Sequence, residues 1–502
     1  MTPFEFQASA AGAARPVAVA VPRAGVGAAR MAWVALGLLL GLLALVRPVD
    51  HDESQYVAAA LLAAQGLPYR DFAYLQTPLQ PLLLAPVAAL AGGWAWPVLR
   101  LVNAALALAA LMLFHRTARR LGAGAATAGW VTALFAGSDI LLYSAGVARN
   151  DALPLLLYAA ALPPMLAAAQ GKGSPAGALL AGLLLAAAAS AKVSYGVPAL
   201  AYGLYALIDR RHRPHWLALG AVPPALLCLW MYAQAPGAFL FEVLRFPAEA
   251  PTQWYLAQQD AWKLSASARL IDAAKFLALG VPLVALVLVA RHREAQPVHR
   301  LLDLLIVAGL VAALAPVPVW RQYLLPVLPP LMLRLALIWQ ARPPGRWMRA
   351  VVALFAGAGL AYSAQALWLA RAGAPMLVAL REGQAIAAAW RAAAPAGASG
   401  PVASLSPQYL PAAGLAIDPR FAAGPFYFRA TGLLRPAEEA RLHLISKGNV
   451  ARMVPPAAIL TGAPVRNTSS EASQDPVLIA YARARGWRGV PVAGTGFTLW
   501  LR

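Results

Sequence analysis

Apolar runs rich in Ala, Leu and Val recur along the first three quarters of the chain, broken at intervals by small clusters of Arg and Lys. Several approach the roughly 20 residues with which a helix crosses a bilayer. The pattern predicts spans over about 31–47, 94–114, 125–143, 152–169, 175–190, 194–208, 217–235, 272–290, 301–319, 323–340 and 350–370. Residues 1–30 are rich in Ala and Pro and carry no period, as expected of a disordered cytoplasmic arm. No small-residue cleavage pattern clearly follows the first run, so it reads as a retained helix and not as a secretory signal. From about Gly373 the long apolar runs stop, and turn formers gather at Pro395, Gly397, Gly400, Pro401, Pro407, Pro411 and Gly414. Short strand-like pieces at 402–405, 457–460 and 497–501 then alternate with helical stretches at 437–445 and 476–485. That alternation predicts an α/β unit, and about 130 residues suffice for a modest core of its own. The expected fold is an all-α polytopic membrane protein of about eleven transmembrane helices over residues 31–371, with a small C-terminal α/β soluble domain over 372–502.

Composition agrees with a bilayer as solvent: of 502 residues, 61% are hydrophobic and 12% charged, against about 25% charged in a soluble domain. The formal charge of +21 would suggest nucleic acid in a soluble protein. Here the basic residues fall in alternate short connections: Arg116, Arg119 and Arg120; Lys172; Arg210, Arg211 and Arg213; Arg291, Arg293 and Arg300; Arg342, Arg346 and Arg349. Such loops mark the cytoplasmic side, so no nucleic-acid partner is implied. With an odd number of spans the N-terminus is expected inside and the C-terminal domain outside. The outer face then receives two long loops, 48–93 and 236–271. The single cysteine, Cys228, lies inside an apolar run and provides neither a disulfide framework nor a thiolate metal site.

Polar groups with chemical potential collect on the face opposite the basic loops. The first long loop opens Asp50-His51-Asp52-Glu53-Ser54-Gln55-Tyr56, then reads Gly66-Leu67-Pro68-Tyr69-Arg70-Asp71 and Gln76-Thr77-Pro78. Arg149-Asn150-Asp151, Ser190-Ala191-Lys192 and Arg321-Gln322-Tyr323, the last followed by Pro326, Pro329 and Pro330, fall on the same face by loop charge alone. Acids there could simply complement a helix N-terminus, and a lone Lys or Arg could be a snorkelling anchor. Ionisable groups converging near a membrane interior are nevertheless rare without a role. His115, His212, His215, His292 and His299 sit in or beside the basic loops without an HExxH pattern and point to no metal. Asn467-Thr468-Ser469 fits a glycosylation acceptor only as a pattern.

In order and spacing, the first-loop residues and the three later motifs resemble the GT-C glycosyltransferases, membrane enzymes that move a sugar from a polyprenyl-phosphate carrier. The resemblance is to the bacterial branch related to protein O-mannosyltransferases and to the aminoarabinose transferases that modify lipid A. It covers residues 31 to about 370 and departs at Gln76-Thr77-Pro78, where the family often carries Lys-Pro-Pro. The resemblance implies Asp52 as catalytic base, with Glu53 orienting the acceptor or holding the neighbouring loop and Asp151 as a second acid near the sugar. It further implies Tyr56, Tyr69, Asp71, Arg149, Lys192, Arg321 and Tyr323 as substrate-binding residues, with Lys192 and Arg321 on the phosphate. The implied partners are a polyprenyl-phosphate sugar, membrane lipids and a lipid, glycan or protein acceptor, at the outer face of a bacterial cytoplasmic (inner) membrane.

Such transfer needs no general acid, because the departing phosphate is stable as an anion. It needs a carboxylate to take the acceptor's proton and cations to hold the phosphate. No cofactor is expected, although Asp50, His51, Asp52 and Glu53 could in principle hold a divalent cation. A transporter or flippase of lipid-linked sugars shares the size and apolar content. It commonly shows repeats and midplane polar groups, whereas this chain has no convincing internal repeat and no Walker motif.

Overall fold

The computed structural model describes residues 26–430, 432–442, 444–463 and 474–502; most of the N-terminal arm and Asn467–Ser469 lie outside them. Helix α1 (Val26–Val46) leads into two helices of the first long loop, α2 (Glu53–Leu62) and α3 (Leu79–Ala91), and α3 runs through a short turn into α4 (Ala95–Arg120). There follow α5 (Ala125–Ala136), α6 (Asp139–Gly146), α7 (Ala152–Ala169), α8 (Pro175–Ala191), α9 (Gly196–Ile208) and α10 (Pro214–Gln234). The second long loop is also helical, with α11 (Pro236–Leu240), a π-helical turn at Phe241–Arg245 and α12 (Phe246–Ala257). The bundle is completed by α13 (Ala266–Ala278), α14 (Pro282–Arg291), α15 (Pro297–Leu314), α16 (Leu328–Ala341) and α17 (Arg346–Leu369).

Among the described residues, seven helical segments are long and apolar enough to cross a membrane, or up to nine if each of two bent pairs counts as one span. The pairs are α5 with α6, bent by 63°, and α13 with α14, bent by 104°. The regions of α8 and α9, Pro175–Ala191 and Val193–Ile208, are apolar but shorter. Each sequence-derived span overlaps one of these helices or pairs. The clearest difference is at α3, which lies in what the sequence suggested was loop: Leu79–Arg120 is one apolar stretch of 42 residues, more than one crossing requires. The breaks follow local chemistry. Proline stands at the first helical position of α8, α10, α14 and α15, where its missing N–H costs no intrahelical bond. The Ser174 hydroxyl accepts from the Gly177 N–H at 3.0 Å to cap α8.

Small residues bring α8 and α10 into backbone contact. A Cβ on Gly182 would stand 1.9 Å from the Leu217 carbonyl oxygen, and one on Gly220 would stand 1.9 Å from that of Leu179. This is the close crossing that small residues permit between membrane helices.

After α18 (Pro375–Ala393) the C-terminal region forms a four-stranded sheet, β1 (Val402–Ser404), β2 (Ala458–Gly462), β3 (Arg488–Pro491) and β4 (Phe497–Leu501), in the order β1-β2-β4-β3. β1 and β2 are parallel; β4 is antiparallel to both β2 and β3. The alternation of side chains along a strand separates two cores. Ala403, Ile459 and Trp500 pack with Leu478, Tyr481 and Trp487 inside the domain. Val402, Leu460, Leu499 and Leu501 instead join Val57, Leu84, Trp96, Met376 and Ile386. Half of the domain's core is therefore shared with the first loop, more than the sequence-derived picture of a core of its own. The join runs through the Pro407–Tyr409 turn, which packs against α2, and through α18, which packs against β3 and β4. Gly424, at φ +58, approaches so closely that a Cβ there would lie 2.4 Å from the Ser54 hydroxyl.

Candidate active site

The site begins where α1 ends. Its first acid, Asp50, accepts from the Asp52 N–H at 2.8 Å and from the Tyr143 hydroxyl of α6. Asp52 stands at the start of α2 and binds His51 Nε2 at 2.8 Å and the Arg149 guanidinium. Arg149 reaches Asp50 at 3.3 Å and Asp151 at 3.4 Å, and its guanidinium lies over the rings of Tyr56 and Tyr143, 5.8 Å from each centroid. Asp151, fully buried before α7, pairs with Lys192, whose ammonium is 5.6 Å from the Tyr323 ring centroid. Four separate stretches of chain thus enter one network, because the ends of α1, α6 and α8 meet at one end of the bundle.

Electrostatics follow from this crowding. Burial alone would raise the Asp52 carboxyl, but Arg149, and after it His51, pull it well below the usual carboxylate range. Burial works against the Arg149 charge too, yet Asp52 and its acidic neighbours raise that group well above an ordinary arginine. Lys192 is lowered, since burial outweighs the pull of Asp151. His51 is raised by Asp52 despite burial.

Glu53 has a different set of partners. Its side chain is fully buried and accepts from Arg100 Nε at 2.7 Å and Nη2 at 2.5 Å, Trp96 Nε1 at 3.0 Å and the Ala148 N–H at 2.6 Å. Arg100 also donates to the carbonyls of Ala44, Arg47 and Pro48. The pair clamps the end of α1, the start of α2 and the segment before Arg149; of the two roles implied for Glu53, this geometry is that of holding the loop. Tyr69 donates to the Gln76 carbonyl at 2.5 Å and packs on Phe239, while Asp71 accepts from the Leu67 N–H at 2.7 Å and from Arg70. Those contacts shape the first loop itself.

Lys192 and Arg321, paired by the resemblance as phosphate contacts, have separate anchors. Arg321 binds Asp139 at 2.8 Å and lies over Tyr143, with its guanidinium 4.5 Å from the ring centroid. Sequence reasoning passed over Arg47, Arg100, Asp139, Tyr143 and Glu242. The available signal was an ionisable residue within or at the edge of an apolar run, which applies to Arg47, Arg100 and Asp139. Glu242, in the π-helical turn, is fully buried, accepts from the Tyr74 N–H at 2.7 Å and is raised well above an ordinary glutamate by burial. Beside it, a groove of about 670 Å³ is lined by Tyr69, Arg70, Phe241, Arg245, Leu434 and Arg441 among others.

Among the described residues, one donor set could hold a metal: atoms of Asp50, His51 and Asp52 lie within 4.8 Å of one another. The fit is poor, because the Arg149 guanidinium already contacts both carboxylates, and a divalent cation would have to displace it.

No family model matches the sequence, and no curated protein matches it. Among solved structures, the chain is similar to ArnT from Cupriavidus metallidurans bound to undecaprenyl phosphate, with 16% identity and a TM-score of 0.58 over 95% of this chain and 98% of that one. The same enzyme in the apo state gives 16% identity and a TM-score of 0.58 over 94% and 98%. The yeast protein O-mannosyltransferase Pmt1-Pmt2 complex bound to the sugar donor matches 47% of this chain and 35% of that chain at 19% identity, with a TM-score of 0.31; that likeness carries no argument. The fold is therefore shared with ArnT: a helical architecture with seven to nine candidate membrane spans among the described residues and a small C-terminal region containing strands. ArnT matches over nearly its whole length, and at this identity the likeness establishes the fold.

Proposed function

We propose that the chain is an integral membrane glycosyltransferase that transfers a sugar from a polyprenyl-phosphate donor to a lipid, glycan or protein acceptor at the outer face of a bacterial cytoplasmic membrane. The observation that carries this reading is the convergence of Asp50 and Asp52, Arg149 and Asp151, and Lys192 into a single ion network, on a fold shared with ArnT bound to undecaprenyl phosphate.

In the reaction, the acceptor oxygen or nitrogen bonds to the anomeric carbon. The bond from that carbon to the phosphate oxygen breaks, and the electron pair leaves with the polyprenyl phosphate. Asp52 takes the acceptor's proton. In the resting arrangement Asp52 is too strongly held by Arg149 to be an effective base, and the donor phosphate offers Arg149 a competing anion that loosens this hold. Asp151 and Lys192 border the sugar, with Tyr323 beside Lys192. If the acceptor, delivered by Asp52, and the leaving phosphate stand on opposite faces of the anomeric carbon, displacement is direct and the product is inverted, the stereochemistry the resemblance implies. The acceptor approaches by the groove beside Tyr69, a residue of the same aromatic cluster as Tyr56 under Arg149.

Replacing Asp52 by Asn keeps size and removes the proton acceptor, which typically costs about 10² to 10⁴ in rate. Purified Asp52→Asn protein should stay folded in membranes and lose transfer by that factor; wild-type transfer by this variant would remove Asp52 from the chemistry.

A further inference from the structure

Resting on that reading, a residue outside the motifs of the resemblance takes a place in the site. Tyr143 lies on α6, four residues after Asp139, a spacing that puts both side chains on one helix face. Asp139 binds Arg321 at 2.8 Å, and the Tyr143 ring centroid lies 4.5 Å from the same guanidinium. The guanidinium groups of Arg47 and Arg149 stand 5.6 Å and 5.8 Å from that centroid. Cations are attracted to the negative face of an aromatic ring, and these three come from separate stretches of chain: the end of α1, the segment before α7 and the segment before α16. The ring is anchored from all three, so its hydroxyl has a fixed position.

That hydroxyl donates to Asp50 Oδ2, and among the described residues no second donor reaches this oxygen. Asp50 Oδ1 accepts from the Asp52 N–H at 2.8 Å and from Arg149 Nη1 at 3.3 Å. The same Arg149 nitrogen binds Asp52 Oδ2 and lies 3.4 Å from the Tyr143 hydroxyl. One nitrogen is thus shared between two carboxylates, and the tyrosine satisfies one of them on its other oxygen. Without the hydroxyl, the Asp50 charge is left to the Asp52 N–H and to Arg149. Hydrogen bonds to an ionised acceptor are strong ones, so the loss of one leaves Asp50 competing with Asp52 for the cation.

We infer that Tyr143 is a positioning residue for the transfer: its hydroxyl keeps Asp50 from drawing Arg149 away, and so fixes where Arg149 and Asp52 stand relative to each other. It acts through Asp50 and Arg149 and does not touch the reacting atoms. A small displacement of the base from its line of attack lowers the rate of the bound complex, whereas the contacts that bind the donor are left in place. The effect of the hydroxyl therefore falls on kcat and not on KM for the donor.

The test uses the full chain in lipid nanodiscs, with an undecaprenyl-phosphate sugar and membrane-extract acceptors, on wild type, Tyr143→Phe, Tyr143→Leu, Asp50→Asn and the Tyr143→Phe/Asp50→Asn double variant. Tyr143→Phe keeps the ring among its three cations and removes only the hydroxyl. A hydrogen bond to a charged group carries about 10- to 100-fold, so kcat should fall by that factor with the donor KM of wild type. Tyr143→Leu, which also gives up the ring, should lose more. In the Asp50→Asn background the hydroxyl has already lost its charged acceptor, so adding Tyr143→Phe should cost little further. Full additivity of the two losses overturns the proposal, as does wild-type kcat in Tyr143→Phe. A raised donor KM at unchanged kcat makes the tyrosine a binding residue and overturns it too. If Tyr143→Phe does not fold, Asp50→Asn decides alone, and wild-type kcat in it overturns the role. Wild type that transfers sugar while Tyr143→Phe keeps its kcat defeats only the positioning role, whereas wild type that transfers none defeats the enzyme reading and this role with it.

Discussion

The glutamate and aspartate that stand side by side at the start of α2 meet opposite environments, and this divides their roles. Asp52 keeps 19% side-chain exposure and faces Arg149 and His51; Glu53 has none and is enclosed by Arg100, Trp96 and the Ala148 N–H. Breaking a buried ion pair from one side typically costs about 3 to 5 kcal/mol because the other charge stays uncompensated. Glu53→Gln should therefore lower the melting temperature and the folded yield, while Asp52→Asn should change the rate and leave folding intact. The reverse pattern in thermal melts and transfer assays would exchange the two assignments. A metal test belongs to the same scale. The Arg149 guanidinium already occupies the space between Asp50 and Asp52 by contacting both, so transfer should survive EDTA. Loss of activity with EDTA and rescue by Mg²⁺ or Mn²⁺ would move Asp50, His51 and Asp52 from base chemistry to metal ligation. At this scale the sequence was informative about which ionisable residues gather, since Asp52, Arg149, Asp151 and Lys192 stood out as polar groups beside apolar runs. Their partners were not legible. Arg47, Arg100 and Asp139 belong to apolar helices or their ends, and only the tertiary crossing of α1, α4 and α6 turns them toward the site.

Between elements, the closest contact is the α8–α10 crossing, where two glycines let backbones touch. Gly182→Leu would drive a side chain into the Leu217 carbonyl, which contacts even a Cβ at 1.9 Å, and overpacking of this kind costs about 1 to 3 kcal/mol or more. The variant should lose folded protein in detergent, measured by size-exclusion recovery and thermal unfolding, whereas Gly203→Ala, with open space around its Cβ position, should behave as wild type. Equal stability of the two variants would contradict the packing. Helices were legible in the sequence wherever apolar length sufficed, and strands β1, β2 and β4 wherever small or β-branched residues alternated between faces. β3, Arg488–Pro491, was not. Its residues are mostly exposed, and it forms by edge pairing to β4, which leaves little hydrophobic trace. The helix starting near Glu53 was legible, whereas α3 and α12 were missed for a related cause: both contain internal proline, which reads as interruption, and their apolar residues join cores shared with the C-terminal region.

Across the whole molecule, basic loops at one end oppose the acid-rich network at the other. The 171–174 and 210–213 loops touch, with the Gly173 Cβ position 3.0 Å from the Arg211 carbonyl oxygen, and Gly124 bonds Gln340 at 2.7 Å. The positive-inside rule predicts that the end carrying Arg210 and Arg346 faces the cytoplasm and that the sheet beyond α18 is exported. Reporter fusions at Arg346 and Arg502 should therefore report opposite sides; the same side for both would require an even number of crossings between the N-terminal arm and the tail.

The central claim is that this chain transfers sugar and does not carry it across the bilayer. The most direct measurement supplies the wild-type protein, reconstituted in sealed vesicles, with polyprenyl-phosphate sugars and membrane-extract acceptors, and follows released polyprenyl phosphate, glycosylated acceptor and the transbilayer distribution of the donor together. The account predicts stoichiometric release of polyprenyl phosphate and glycosylated product, abolished by Asp52→Asn, with no movement of donor between leaflets beyond that of empty vesicles. Donor that crosses the bilayer unconsumed, with no polyprenyl phosphate released, would contradict it.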